Sequence, residues 1–126
     1  MRRFILVIVL LMSTKCYAKH LYLEQDYQNY WCNKNHGVTE YKLQDFTRVD
    51  CLTDTQAIEF DFANKWAECI GQALYYGLMT EREPACVLIL EKGNKDLKYL
   101  KRLQKVSNKT EIKVYTIKPE NLPLKK

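Results

Sequence analysis

The run Ala85–Leu90, ACVLIL, constrains this chain more than any other stretch. It is apolar without interruption and follows Pro84. A strand with no polar alternation needs covering on both faces, as strands inside mixed or parallel sheets are covered. A helical pattern precedes it over Ala63–Tyr76, with Trp66, Ile70, Ala73 and Gly77 on one side. A strand reached through a crossover helix joins its sheet in parallel. The expected fold is therefore α/β, a mixed sheet with helices on both faces.

The remaining elements fit that frame. Leu23–Cys32 predicts a first helix with Leu23, Tyr27, Tyr30 and Trp31 on one side, and Asn33–Gly37 breaks it. Strands are predicted at Val38–Leu43, Arg48–Leu52 and Ala57–Phe62, with four-residue turns at Gln44–Thr47 and Thr53–Gln56. Connections that short imply an antiparallel meander. Beyond the apolar strand, Lys95–Val106 predicts an amphipathic helix with Leu97, Leu100 and Leu103 inside, and Glu111–Ile117 a last strand. The order is α-β-β-β-α-β-α-β, and 126 residues suffice for one domain.

The first eighteen residues stand apart. Arg2 and Arg3 precede the apolar run Phe4–Met12, and a short polar stretch ends at Ala18. That is the layout of a secretory signal peptide, which places the domain at 19–126 in the periplasm or outside the cell. The run is short for a bilayer span, so no stable membrane insertion is expected after cleavage. Export gives Cys32, Cys51, Cys69 and Cys86 an oxidising compartment, and four cysteines allow three disulfide connectivities. Cys32–Cys51 with Cys69–Cys86 is the preferred pairing; the sequence does not decide it. No Cys-x-x-Cys or Cys/His cluster suggests zinc. Charge is divided: residues 19–91 carry 6 basic and 12 acidic side chains, residues 92–126 carry 11 basic and 3 acidic. An acidic front suits cations and a basic tail suits a polyanion.

The chemistry-bearing stretch is Arg48–Tyr76. Alternation on its strands puts Ile58, Phe60 and Phe62 on one face and Glu59 and Asp61 on the other, with Val49 and Cys51 opposite Asp50. If Asp50 faces Glu59, three carboxylates crowd together, which a cation relieves. Lys65, Cys69, Gln72 and Tyr76 follow one stripe of the next helix, so Lys65 reaches back towards Glu59. A lysine there neutralises charge developing on a phosphate, and Gln72 is placed to bond a nucleic-acid backbone.

Order and spacing together resemble the PD-(D/E)XK nuclease superfamily, restriction-endonuclease-like, and within it the RecB-like and Holliday-junction-resolvase-like branches. The resemblance covers about Leu23–Glu91. In it Gly37-Val-Thr-Glu40 supplies an early Glu, Arg48-Val-Asp50 the metal-binding Asp, Glu59-Phe-Asp61 the Glu-x-Lys place, and Gln72-Ala-Leu-Tyr-Tyr76 the helical motif. It implies an α-β-β-β-α-β core followed here by a further helix and strand. It also implies hydrolysis of DNA or RNA with Mg²⁺ or Mn²⁺ held by Glu40, Asp50, Glu59 and Asp61. Asp50, Glu59, Lys65 and Gln72 would be catalytic, and Gln72 and Tyr76 would meet substrate. Asp61 stands where the family has lysine, and Lys65 is the replacement. The runs RVDCLTD and KWAE-x-IGQ-x-LYY also resemble a group of exported bacterial proteins, which implies a fold but no activity.

Two functions follow from these residues. One is an exported metal-dependent nuclease with nucleic acid as partner. The other is an inactive module of the same fold that binds a protein or polyanion, with Asp61 its best support and a solvated sheet face as the plain account of the carboxylates.

Overall fold

The computed structural model describes residues 20–123. The expected signal peptide, residues 1–18, lies outside them. The elements are α1 (Glu24–Lys34), β1 (Val38–Lys42), β2 (Arg48–Leu52), β3 (Gln56–Phe62), α2 (Trp66–Thr80), β4 (Glu83–Ile89), α3 (Leu97–Ser107) and β5 (Lys113–Ile117). Short 3-10 turns at Ala63–Lys65 and Gly93–Asp96 lead into α2 and α3. The strands form one mixed sheet in the order β1-β2-β3-β4-β5. β1, β2 and β3 are an antiparallel meander; β4 and β5 add in parallel after α2 and α3.

Both faces of the sheet are covered, as the apolar run in β4 requires. Tyr27 and Cys32 of α1 pack on Ile58, Phe60, Ala85, Val87 and Ile89. Cys69 and Ala73 of α2 and Leu103 of α3 pack on Cys86, Leu88 and Leu90 from the other side. Alternate residues of β4 thus feed two different cores. A third cluster joins Val49, Leu52 and Ala57 to Tyr76.

Disulfides fasten one helix to each face. Cys32–Cys51 ties α1 to β2, and Cys69–Cys86 ties α2 to β4. Gly37 is required beside the first. A Cβ there would lie 2.5 Å from the Cys51 sulfur and 2.6 Å from that of Cys32.

Several expectations need correction. α2 begins at Trp66, so Lys65 is its N-cap rather than a residue of its first turn. The helix also runs a full turn beyond Tyr76. Leu23 is 71% exposed and Leu97 40% exposed; their faces are completed by Cys32 and Leu103, which are fully buried. Val49 and Cys51 do not share a core: Val49 packs with Tyr76 and Cys51 beneath α1. Regular alternation fails there because the strand pairing itself breaks at residue 50.

Candidate carboxylate site

The β2–β3 ladder covers only Cys51–Ile58 and Leu52–Ala57. Beyond it, side chains replace main-chain partners. The Asp50 amide donates to Glu59 Oε1 at 3.2 Å, and the Phe60 amide donates to Asp50 Oδ2 at 2.8 Å. Each carboxylate satisfies a backbone donor that the parted strands leave open. The splay brings the Asp50 and Glu59 carboxylates together within the sheet.

On β1, Glu40 lies across from Asp50 and has a left-handed backbone, φ 52°. That conformation costs a residue with a Cβ about 1–2 kcal/mol. Gln28 on α1 holds the region: its buried amide donates to Glu40 Oε1 at 2.9 Å and to the Asp50 carbonyl at 2.8 Å.

Asp61 completes the row along β3. It is 5% exposed, and its Oδ2 has no hydrogen-bond partner. An unpartnered buried carboxylate oxygen costs more than almost any other polar atom a fold can bury.

The electrostatics join these residues to two that sequence reasoning passed over. Burial pushes Asp61 up to about 7, and the charges of Glu24, Asp50 and Glu68 push the same way, with Lys65 opposing. Glu24, at the start of α1, is likewise raised to about 7 by burial, then by Asp50, and is also relieved by Lys65. Burial raises Asp50 to about 6 and Glu59 to about 10; Glu59 is also raised by the Asp50 charge and by their side-chain hydrogen bond, which lowers Asp50. Glu59 thus keeps its proton at neutrality, Glu24 and Asp61 stand near their midpoints and Asp50 titrates just below, because each charge makes the next more costly.

Lys65 therefore lies within electrostatic reach of Glu24 and Asp61, from an exposed position. Tyr76 is buried, and its hydroxyl is raised by burial and by the nearby Glu59 charge. Gln72 is exposed, while Cys69 and Tyr76 on the same expected stripe are buried, so the stripe does not face the site as one unit. Glu40 borders the cluster with one oxygen committed to Gln28. The signal for Glu24 was its place in the first turn of α1, which alone did not set it apart from Asp26.

As they stand, no three His, Cys, Asp or Glu side chains among the described residues are arranged to hold a metal ion. The oxygens nearest convergence are committed to Asp50 N–H, Phe60 N–H and Gln28. The largest cavity described, 950 Å³, is elsewhere, between the end of α2, the start of β4 and the α3–β5 loop, and contains none of these carboxylates. Comparison with protein-family models, curated proteins and solved structures finds no match for this chain.

Proposed function

We propose that this protein is an exported, divalent-metal-dependent phosphodiesterase of restriction-endonuclease-like fold that hydrolyses nucleic acid. The observation that carries the reading is Asp61: a buried carboxylate with an unpartnered oxygen, beside Glu24, Asp50 and Glu59, with Lys65 at the rim. A cation takes the place of the protons that otherwise neutralise such a group. The element order and the Lys65 position add support. The two disulfides fit a protein matured in an oxidising compartment.

Asp50, Glu59, Asp61 and Glu24 would hold Mg²⁺ or Mn²⁺, with Glu40 and Gln28 fixing Asp50 from behind. Such an ion supplies Lewis acidity and a water of lowered pKa. Lys65 offers positive charge where a phosphate oxygen gains negative charge. Asp50 and Glu59, pinned by backbone amides, keep their orientation when the site fills. Gln72 stands on the exposed side of α2, where it meets the nucleic-acid backbone rather than the reacting atoms, and Tyr76 supports Glu59 from the core.

The test is a calorimetric titration of oxidised protein with Mn²⁺ and Mg²⁺, paired with cleavage of labelled DNA and RNA. Saturable binding with proton release is expected, weakened at least tenfold by Asp61→Asn, with cleavage lost in Glu59→Gln. A folded, oxidised wild type that binds neither ion overturns the proposal. The second reading, an inactive binding module, is favoured by Asp61 in the place of the family lysine and by the oxygens already committed to backbone amides. It expects the same titration to be silent.

A further inference from the structure

A second pocket lies beside the carboxylates, at the C-terminal ends of β3 and β4. It measures 290 Å³, and its walls include His20, Phe62, Lys92, Lys95, Lys98 and Tyr99. Ala63 and Asn64 also line it. The short segment 61–65 therefore borders both places: Asp61 and Lys65 belong to the carboxylate cluster, and the residues between them to the pocket.

One wall is a stacking platform. His20 lies flat on Phe62, ring centroids 3.5 Å apart and planes 8° from parallel. Glu91 Oε2 holds the His20 Nδ1 at 2.8 Å, so the ring is fixed before anything binds. Its side chain is still 44% exposed. Tyr99 forms a further aromatic wall beneath Lys98 and Arg102.

The rim is positive. Lys92, Lys95 and Lys98 are exposed, and among the described residues the only ion pair is His20–Glu91, so none of the three has a carboxylate partner. The acids in the pocket are engaged inward. Glu91 accepts from Tyr27 as well as from the Tyr22 amide, and Asp96 accepts from the Lys92 amide. A fixed aromatic face edged by free lysines is the combination that binds single strands, with a base stacked and a phosphate neutralised. The volume falls just below that of ordinary ligand pockets, roughly 300–1,000 Å³.

We propose that this pocket binds one nucleotide of a single-stranded nucleic acid, its base stacked on His20 and its phosphate held by Lys92, Lys95 and Lys98. The strand then passes over Asn64 towards Asp61 and Lys65. This names the substrate of the phosphodiesterase reading and rests on it for where the strand is cut.

The test is fluorescence anisotropy of a labelled ten-nucleotide oligothymidine with oxidised protein in EDTA, which needs neither metal nor cleavage. The expected result is saturable binding at least tenfold tighter than to a duplex of equal length. Lys95→Glu with Lys98→Glu should weaken it at least tenfold, and His20→Ala about five- to tenfold, as loss of one stacked base does. Lys105→Glu with Lys109→Glu makes the same charge change outside the pocket and should cost under threefold. Melting curves confirm that each variant is folded. Equal losses from the two lysine pairs, preference for duplex, or no saturable binding would overturn the proposal. Strand binding with a silent metal titration would instead overturn hydrolysis and leave the pocket standing.

Discussion

At the residue scale, the carboxyls of β2 and β3 trade stability for availability. A carboxyl whose pKa is raised on folding binds its proton more tightly folded than unfolded. Its contribution is complete at low pH and is lost as pH climbs through the folded value. Loss should start near the ordinary carboxyl range, about 4, pass through about 6 to 7 for Asp50, Asp61 and Glu24, and end near 10 for Glu59. Glu91 runs the other way. Burial raises it, yet the hydrogen bonds from Tyr27, His20 and Tyr22 hold it below its ordinary value, so its contribution is lost on acidification. Metal-free protein should therefore melt several degrees higher at pH 5.5 than at pH 8.5, and Glu59→Gln should shrink that difference. At pH 8.5 the variant should be about 1–3 kcal/mol more stable than wild type, because folding of the wild type must return a proton to Glu59 that the unfolded chain has lost, whereas the amide of the variant needs none. Chemical denaturation at the two pH values measures both effects. Gly37→Ala makes a separate prediction. Its Cβ meets both sulfurs of Cys32–Cys51 and the Leu52 carbonyl at 3.2 Å, so it should cost about 1–3 kcal/mol through overpacking.

At the element scale, the parting of β2 from β3 is the decisive feature. An ordinary ladder would leave Asp50 and Glu59 as two outward acids on a pleated face. Where the ladder stops, their side chains turn in to cap backbone amides, and Gln28 bridges from α1 to Glu40 of β1 and the Asp50 carbonyl of β2. Gln28→Leu should cost about 1–3 kcal/mol, since it strands the Asp50 carbonyl and frees Glu40. It should also weaken metal binding in the titration, because Asp50 loses its backing. The Cys69–Cys86 bridge anchors α2 over Glu59, whose β4 neighbour is Cys86 itself. Replacing both cysteines by serine should lower stability by about 2–4 kcal/mol in denaturant titrations. β4 was legible because its apolar run is unbroken, and α3 because its apolar positions recur at the helical period. Leu23 and Leu97 misled because each stands at a helix end, where a neighbour in space rather than the period decides burial.

At the scale of the whole molecule, the division of charge along the chain becomes a division in space. The acidic cluster draws on α1, β2, β3 and the start of α2, while Lys92, Lys95 and Lys98 edge the pocket from the turn before α3 and its first turn. Substrate binding should therefore weaken steeply with salt, by about tenfold or more between low and physiological ionic strength, as phosphate contacts do. Anisotropy at increasing salt checks this. Among the described residues no helix is long and apolar enough to cross a membrane.

The sequence by itself determined the element order, the meander, the two-faced burial of β4 and the division of Ile58 and Phe60 from Glu59 and Asp61. Those features follow from local periodicity, which each residue carries with it. The meeting of Cys32 with Cys51 and Cys69 with Cys86 was a preference among open pairings, and only the fold brought the sulfurs together. Glu24 and His20 became visible only in three dimensions: Glu24 is distant in sequence from Asp61, and His20 gains meaning from Phe62 and Glu91. Pairing, splay and convergence are relations between segments remote in the chain, and they are settled by packing rather than by any residue's own preference.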